Sequence, residues 1–137
     1  MDALGSVVLA EELGRSTFGG FAITVLVHTD MASVHIANGG TRAQRDRYMP
    51  EIVAGRAITA VAITEPDAGS DVKALRTFAR REGGAYVLNG RKIFITNGVH
   101  ADLYCVAAKT RRDARPSHSL SMFLVEKGRA ACPRSKT

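Results

Sequence analysis

One short polar stretch has residue types that suit ligand binding: ITEPDAGSD, residues 63–71. A β-branched run leads into this stretch. It ends at Glu65-Pro66, because proline cannot donate to a strand ladder. Gly69 tolerates positive φ, and its small neighbours let backbone N–H groups approach a ligand closely. A concave row of amides of this kind binds phosphate. A plain capped turn fits the same residues about equally well.

Other catalytic and metal-binding patterns are weak in this sequence. His28 and His35 are seven residues apart on one helical face, and neither has a Cys or His partner at ligand spacing. We therefore interpret both as core or interface residues, and no metal site is predicted. Ser70 lies outside any G-x-S-x-G motif and has no local His, which disfavours hydrolase chemistry. The sequence also contains neither G-x-G-x-x-G nor a P-loop motif.

The charge of the chain is moderately positive. Its 137 residues include 19 Lys plus Arg and 13 Asp plus Glu, a formal net charge of +6 at pH 7. The basic residues are densest at 42–48 and 109–115, and an Asp interrupts each run. Solvated protein faces are favoured over a nucleic-acid interface, so no nucleic-acid partner is predicted.

Cysteine content and hydropathy bear on the cellular setting. Cys105 lies in an apolar run, where we expect a buried and inert thiol, and Cys132 is distant from it in the sequence. Unpaired cysteines fit a reducing compartment, and we predict a cytoplasmic protein. The apolar stretch at 21–37 contains His28 and Asp30, so no membrane span is predicted.

Two periodicities divide the chain near residue 57. Helical spacing covers residues 7–13 and 18–38, and a T-x-x-Q capping box at Thr41 begins another helix, which Gly55 ends and Pro50 is expected to kink or interrupt. β-Patterned segments follow. The REGG spacing predicts a hairpin between the second and third of them, and the Asn89-Gly90 pair predicts another between the third and fourth. The predicted strands are AITAVAIT, RTFAR, AYVLN, RKIFIT, LYCVAAK and LSMFLVE.

The predicted fold class is α+β, with N-terminal helices followed by an antiparallel β-barrel-like domain. Residues 1–56 are expected to form part of an all-α domain and residues 57–128 a β-domain. A polar loop is predicted at 110–119. The basic tail at 129–137 lacks periodicity and is expected to lie loose.

The segment AITEPDAGSDVKALRTFARREGGAYVLNGRKIFITNG, residues 62–98, closely resembles the flavin-binding region of the acyl-CoA dehydrogenase family. NGGTRAQRDRYMPEIVAGRAI is similar to that family's preceding helix, and MFLVEKG to a later strand. The resemblance covers about residues 1–128, and two linked motifs are more specific than either alone. It implies a bound FAD, an acyl-CoA substrate and, for full-length members, a homo-oligomer.

The resemblance also implies roles for individual residues. Thr64 would present its backbone and hydroxyl to the polar edge of the flavin ring, and Ser70 would lie near both the FAD pyrophosphate and the acyl-CoA. Phe94 would stack on the ring, where many members carry Trp, and Thr96 would hydrogen-bond near N5. The implied cofactor-binding set is Val61, Ala62, Ile63, Thr64, Gly69, Ser70, Phe94, Ile95 and Thr96, with Ser70 also contacting substrate.

The catalytic base implied by the resemblance is not in this sequence. Family members carry it in a C-terminal helical domain, to which these residues do not extend, and Glu65 belongs to the signature turn. We therefore expect the chain to be a truncated enzyme for FAD-dependent α,β-dehydrogenation of acyl-CoA thioesters, and to be inactive alone because it lacks the base. The alternative is a non-catalytic module that acts by assembly with another chain.

Overall fold

The computed structural model describes residues 3–111 and 119–128, so most of the predicted polar loop and the whole 129–137 tail lie outside the described residues. The α+β class is confirmed. Within the described ranges, the α-helices are α1 Ala3–Gly14, α2 Gly19–Leu26, α3 Ser33–Gly39 and α4 Arg42–Val53. A π-helical turn, Val27–Ala32, joins α2 to α3, and residues Val72–Ala74 form a short 3₁₀ helix. The strands are β1 Thr59–Ala62, β2 Phe78–Glu82, β3 Ala85–Asn89, β4 Leu103–Lys109 and β5 Leu120–Glu126.

Local signals in the sequence set the ends of α4. The predicted capping box is confirmed: Gln44 N donates to Thr41 Oγ1 at 3.2 Å, and Thr41 N donates to Gln44 Oε1 at 2.8 Å. Pro50 does not interrupt the helix, which continues to Val53. Gly55 follows with a φ of 70°, a conformation that glycine adopts without a steric penalty.

The five strands form an open, mixed sheet, so the predicted antiparallel barrel is only a loose description. β4 pairs in parallel with β1 and antiparallel with β5, and it meets β2 through the single parallel pair Phe78–Lys109. β2 and β3 form the predicted antiparallel hairpin. Parallel pairing of β1 with β4 is possible because a long connection separates them, whereas tight turns enforce antiparallel neighbours.

The predicted strand RKIFIT is wrong. Residues 91–97 form no strand, and Phe94 and Asn97 have φ values of 53° and 63°, which interrupt a pleated backbone. Ile93 N instead donates to Thr64 O at 3.0 Å, and Asn97 Nδ2 donates to Thr24 O and Thr59 O, each at 3.2 Å. Tertiary contacts therefore use the polar groups that a hairpin would have paired.

The core has two parts. In the first, Ile36 of α3 and Ile52 of α4 pack against Leu103 and Cys105 of β4, so the helices cover the sheet. The second contains three buried residues near the turn after β1: Ala68, Leu75 and Ala107. Together these clusters fix the position of β1, whose C-terminal end leads into the ITEPDAGSD stretch.

The stretch Gly19–Gly39 has 21 residues and, by length and composition alone, is apolar enough to cross a membrane. Four of its residues are nevertheless buried within this fold, Val27, Ala32, Ser33 and Ile36, and Ile36 belongs to the first core cluster. A core helix of a globular domain passes the same test of length and composition. The absence of a membrane span therefore stays a prediction.

Cys105 is the buried thiol that the sequence predicts. It is fully buried, its Sγ donates to Ala32 O at 3.4 Å, and burial raises its pKa from 9.0 to about 11.

This burial predicts a slow reaction of the thiol. In a Cys132→Ser variant, we expect Cys105 of the native chain to react with a chromogenic disulfide reagent about a hundredfold more slowly than Cys105 of the urea-unfolded chain, because the thiolate is the reactive form. Equal rates for the native and unfolded chain would contradict this burial.

Candidate functional site

The two sequence segments implied to hold a flavin lie side by side at the C-terminal end of β1. Ile93 N donates to Thr64 O at 3.0 Å, and Lys92 Nζ donates to Ile63 O at 2.7 Å. These bonds join the irregular segment at 92–96 directly to the residues that follow β1. Residues about thirty positions apart in sequence are thus held next to one another.

β1 itself lies at an edge of the sheet. Among the described strands it pairs with β4 alone. On its other edge Thr59 N donates to His28 Nδ1 and Thr59 O accepts from Asn97 Nδ2, so a ligand at this edge would contact the backbone beyond Thr59. Ala62 is buried, Val61 packs against the first core cluster and Ile63 against the second. The side chains of these three residues are therefore structural, and it is their backbone that can face a ligand.

The exposed part of the site is aromatic and polar. Phe94 is 90% exposed, and its backbone has a positive φ of 53°. Strained backbone of this kind clusters at ligand sites. Ile95 and Thr96 beside it are half-buried, as is Thr64.

The turn at 65–70 is tighter than the sequence indicated. Glu65 N donates to Ala68 O at 2.8 Å, and Ala68 N donates back to Glu65 O at 3.1 Å, which closes a turn over Pro66. Gly69 is not among the positive-φ glycines, so its left-handed freedom is not used here. A Cβ at Gly69 would meet nothing within 4 Å, and Ser70 is exposed, so the turn leaves open space for a ligand.

Glu65 is the most constrained charge of the site, and sequence reasoning placed it only in the turn. Its Oε1 accepts from Lys92 Nζ at 2.8 Å and from Thr77 N at 3.0 Å, and its Oε2 accepts from Arg76 N at 2.6 Å. Burial by itself would raise the pKa of Glu65, but the bonds from Lys92 and the backbone amides outweigh it and lower the pKa to about 2. Glu65 is thus ionised at neutral pH and unsuited to act as a general base.

His28 connects the helices to this site. Its Nδ1 accepts from Thr59 N at 3.1 Å, and its Nε2 lies 3.4 Å from Ile52 O, which fits a ring protonated at Nε2. Both ring nitrogens therefore have protein partners, which confirms the prediction of an interface residue. His35 is exposed, so the core alternative is wrong for it.

Comparison with known families assigns both parts of the chain. "Acyl-CoA dehydrogenase, N-terminal domain" matches residues 1–56, and "Acyl-CoA dehydrogenase, middle domain" matches residues 60–135. Together with the adjoining flavin-type segments, these matches define the class of protein. The chain belongs to the acyl-CoA dehydrogenase family.

Individual relatives show how similar the chain is to members of the family and how much of their length it spans. The chain is 45% identical over 128 residues to the mitochondrial long-chain specific acyl-CoA dehydrogenase of Mus musculus, a match covering 93% of this chain and 29% of the mouse protein. It is 41% identical to the crystal structure of an acyl-CoA dehydrogenase from Geobacillus kaustophilus, with a TM-score of 0.78, covering 89% of this chain and 32% of that one. The chain thus spans about three tenths of the length of these relatives.

A solved structure with a cofactor is also similar. The FAD complex of PigA matches with a TM-score of 0.82 and 36% identity, over 88% of this chain and 31% of that one. Members of the family therefore bind FAD. Because the mouse relative is named as mitochondrial, the family is not confined to the cytoplasm, and the cytoplasmic setting of this chain stays a prediction.

Proposed function

We propose that this chain carries the flavin-binding part of an enzyme for FAD-dependent α,β-dehydrogenation of acyl-CoA thioesters. The observation that supports this most is the direct hydrogen bonding of the 92–96 segment to the residues after β1, through Ile93 N and Lys92 Nζ. In this proposal, residues 1–56 belong to the helical domain of the enzyme and residues 57–128 to its middle domain.

The residues present fit a flavin. Phe94 offers a ring for stacking, the edge of β1 beyond Thr59 offers backbone groups to the polar edge of the isoalloxazine, and the open turn at Gly69 suits a pyrophosphate. Thr64 and Thr96 would orient the ring from their adjoining segments, and Ser70 would contact both the pyrophosphate and the acyl-CoA. FAD, when bound, supplies the hydride acceptor for the β-carbon of the substrate.

The base that removes the α-proton lies, in this proposal, in the part of the relatives that the chain does not span. Glu65 is excluded as that base, because it stays ionised down to about pH 2 and three donors occupy its oxygens.

The purified 137-residue chain should bind FAD through the site described above. Without the base it should turn over little or no acyl-CoA. Acyl-CoA turnover with an artificial electron acceptor, measured beside the visible flavin spectrum, tests both statements. Robust turnover by the purified chain would overturn the second.

A second candidate is a module that acts by assembly. Large apolar side chains are exposed along α1, α2 and the π-helical turn, including Leu4, Phe21, Ile23 and Met31. Exposed apolar side chains favour association where they lie together, and a homo-oligomer is expected for the full-length enzyme. Size-exclusion chromatography separates the cases, since a clean monomer argues against assembly.

Phe94 provides the sharpest test of the flavin site. We expect Phe94→Ala to weaken FAD binding about tenfold, through loss of ring stacking, and to leave the free energy of unfolding unchanged within about 0.5 kcal/mol because the side chain is exposed. The sequence contains no tryptophan, so a Phe94→Trp variant should report binding directly by fluorescence quenching.

The matched control for Phe94 is Val99→Ala. Val99 is also exposed, at 80%, and lies five residues further along the same segment. FAD affinity should be the same in this variant as in the wild type. If Phe94→Ala also binds FAD as the wild type does, Phe94 does not stack on the ring.

A further inference from the structure

Glu65 and Lys92 form an ion pair that the protein encloses. Lys92 Nζ lies 2.8 Å from Glu65 Oε1, and the two side chains are 12% and 5% exposed, respectively. In each other ion pair among the described residues, the arginine side chain is at least 63% exposed. Removing one partner of an enclosed pair leaves a buried charge without compensation, so the pair strongly disfavours arrangements in which the two residues lie apart.

The pair connects three separate stretches of backbone. Lys92 Nζ also donates to Ile63 O at 2.7 Å, and the Glu65 carboxylate also accepts from the amides of Arg76 and Thr77. The residues after β1, the residues before β2 and the segment at 92–96 are therefore held by one carboxylate and one ammonium group. A shift of the 92–96 segment along β1 would separate the two charges while both remain buried, which fixes its register.

We propose that Glu65 and Lys92 are positioning residues of the flavin site, which set the placement of residues 94–96 relative to Thr64. This inference rests on the proposed function, because it assigns the pair a task in holding the two flavin-contacting segments. Because both side chains are enclosed, the proposal assigns neither of them a direct contact with the flavin. The pair acts through the bond from Ile93 N to Thr64 O, which lies between the two segments.

Amide hydrogen exchange in the cofactor-free chain tests the positioning directly. In Glu65→Gln and in Lys92→Met, we expect the Ile93 amide to exchange about tenfold faster relative to the Cys105 amide in the core of β4. Glu51→Gln, which breaks the exposed 2.7 Å pair with Arg56, should leave this ratio unchanged. Should Glu65→Gln fail to fold, Lys92→Met keeps the carboxylate with its two backbone donors and supplies the same comparison. An unchanged ratio in the folded variants overturns the proposal.

FAD titration separates this inference from the proposed function. In a Phe94→Trp background, under conditions where each variant is folded, we expect both pair variants to raise the FAD dissociation constant about tenfold and Glu51→Gln to leave it unchanged. Faster Ile93 exchange with unaltered FAD affinity would overturn the role in the flavin site. If the Phe94→Trp chain binds no FAD, but the pair variants still speed exchange at the Ile93 amide, the proposed function is overturned. The pair is then left only with the role of holding the two segments together.

Discussion

Acidification from about pH 6 to about pH 2 is expected to destabilise the wild-type chain by about 3 kcal/mol more than a Glu65→Gln variant. The carboxylate of Glu65 is buried and bonded to Lys92 and to the amides of Arg76 and Thr77, which lowers its pKa from 4.5 to about 2. Each unit of that difference corresponds to about 1.4 kcal/mol of folding free energy.

The direction of this effect follows from the lowered pKa. The stabilisation is complete above about pH 4.5, where the carboxylate is ionised in both the folded and unfolded chain. It is lost progressively as the pH falls from about 4.5 to about 2, because over this range the unfolded chain takes up the proton before the folded chain does. Urea unfolding at several pH values measures it as the difference between wild type and Glu65→Gln. Glu51→Gln is the control, since Glu51 is exposed and its variant should follow the wild-type curve closely. Parallel curves for wild type and Glu65→Gln would contradict the prediction.

Gly90→Ala is expected to lower the free energy of unfolding by about 3 kcal/mol. A Cβ at Gly90 would lie 2.7 Å from the backbone Cα of Thr77 and closer still to the Thr77 side chain. Thr77 is buried, and its backbone amide is bonded to Glu65, so it cannot move aside without breaking that bond. The added methyl group therefore has to displace backbone, which is costly in a packed interior.

Gly84→Ala is the matched control for this substitution. Gly84 lies in the turn of the same β2–β3 hairpin, does not have a positive φ, and a Cβ there would meet nothing within 4 Å. Its variant should unfold at nearly the wild-type urea concentration. Equal stability of the two alanine variants would show that the approach of Gly90 to Thr77 is not a constraint.

The Gly90 contact also explains why one sequence prediction is wrong. Asn-Gly is the strongest local indication of a hairpin turn, yet here the glycine serves a close backbone approach after β3. Both uses select glycine because both require the absence of a Cβ. A local pattern does not distinguish them, since the second depends on where Thr77 lies in space.

Much of this fold was determined by local sequence. The capping box at Thr41, the hairpin around Gly83 and the strands β4 and β5 match their predictions because their hydrogen bonds or side-chain periodicity depend on neighbouring residues. The motif at 63–71 by itself predicted a capped turn and an anion site about equally. Family resemblance, carried by the linked motifs at 63–71 and 93–98, predicted both halves of the candidate site.

Tertiary structure alone decided the features that depend on distant partners. The parallel pairing of β1 with β4, the irregular path of residues 91–97 and the enclosure of Glu65 with Lys92 each join residues that are far apart in sequence. The free energy of burying a polar or charged group depends on the partner that replaces water around it. The secondary-structure propensity of a residue carries no information about a partner that is distant in sequence. The sequence thus determined the elements and the motif residues, whereas burial and non-local hydrogen bonding determined how the two segments meet.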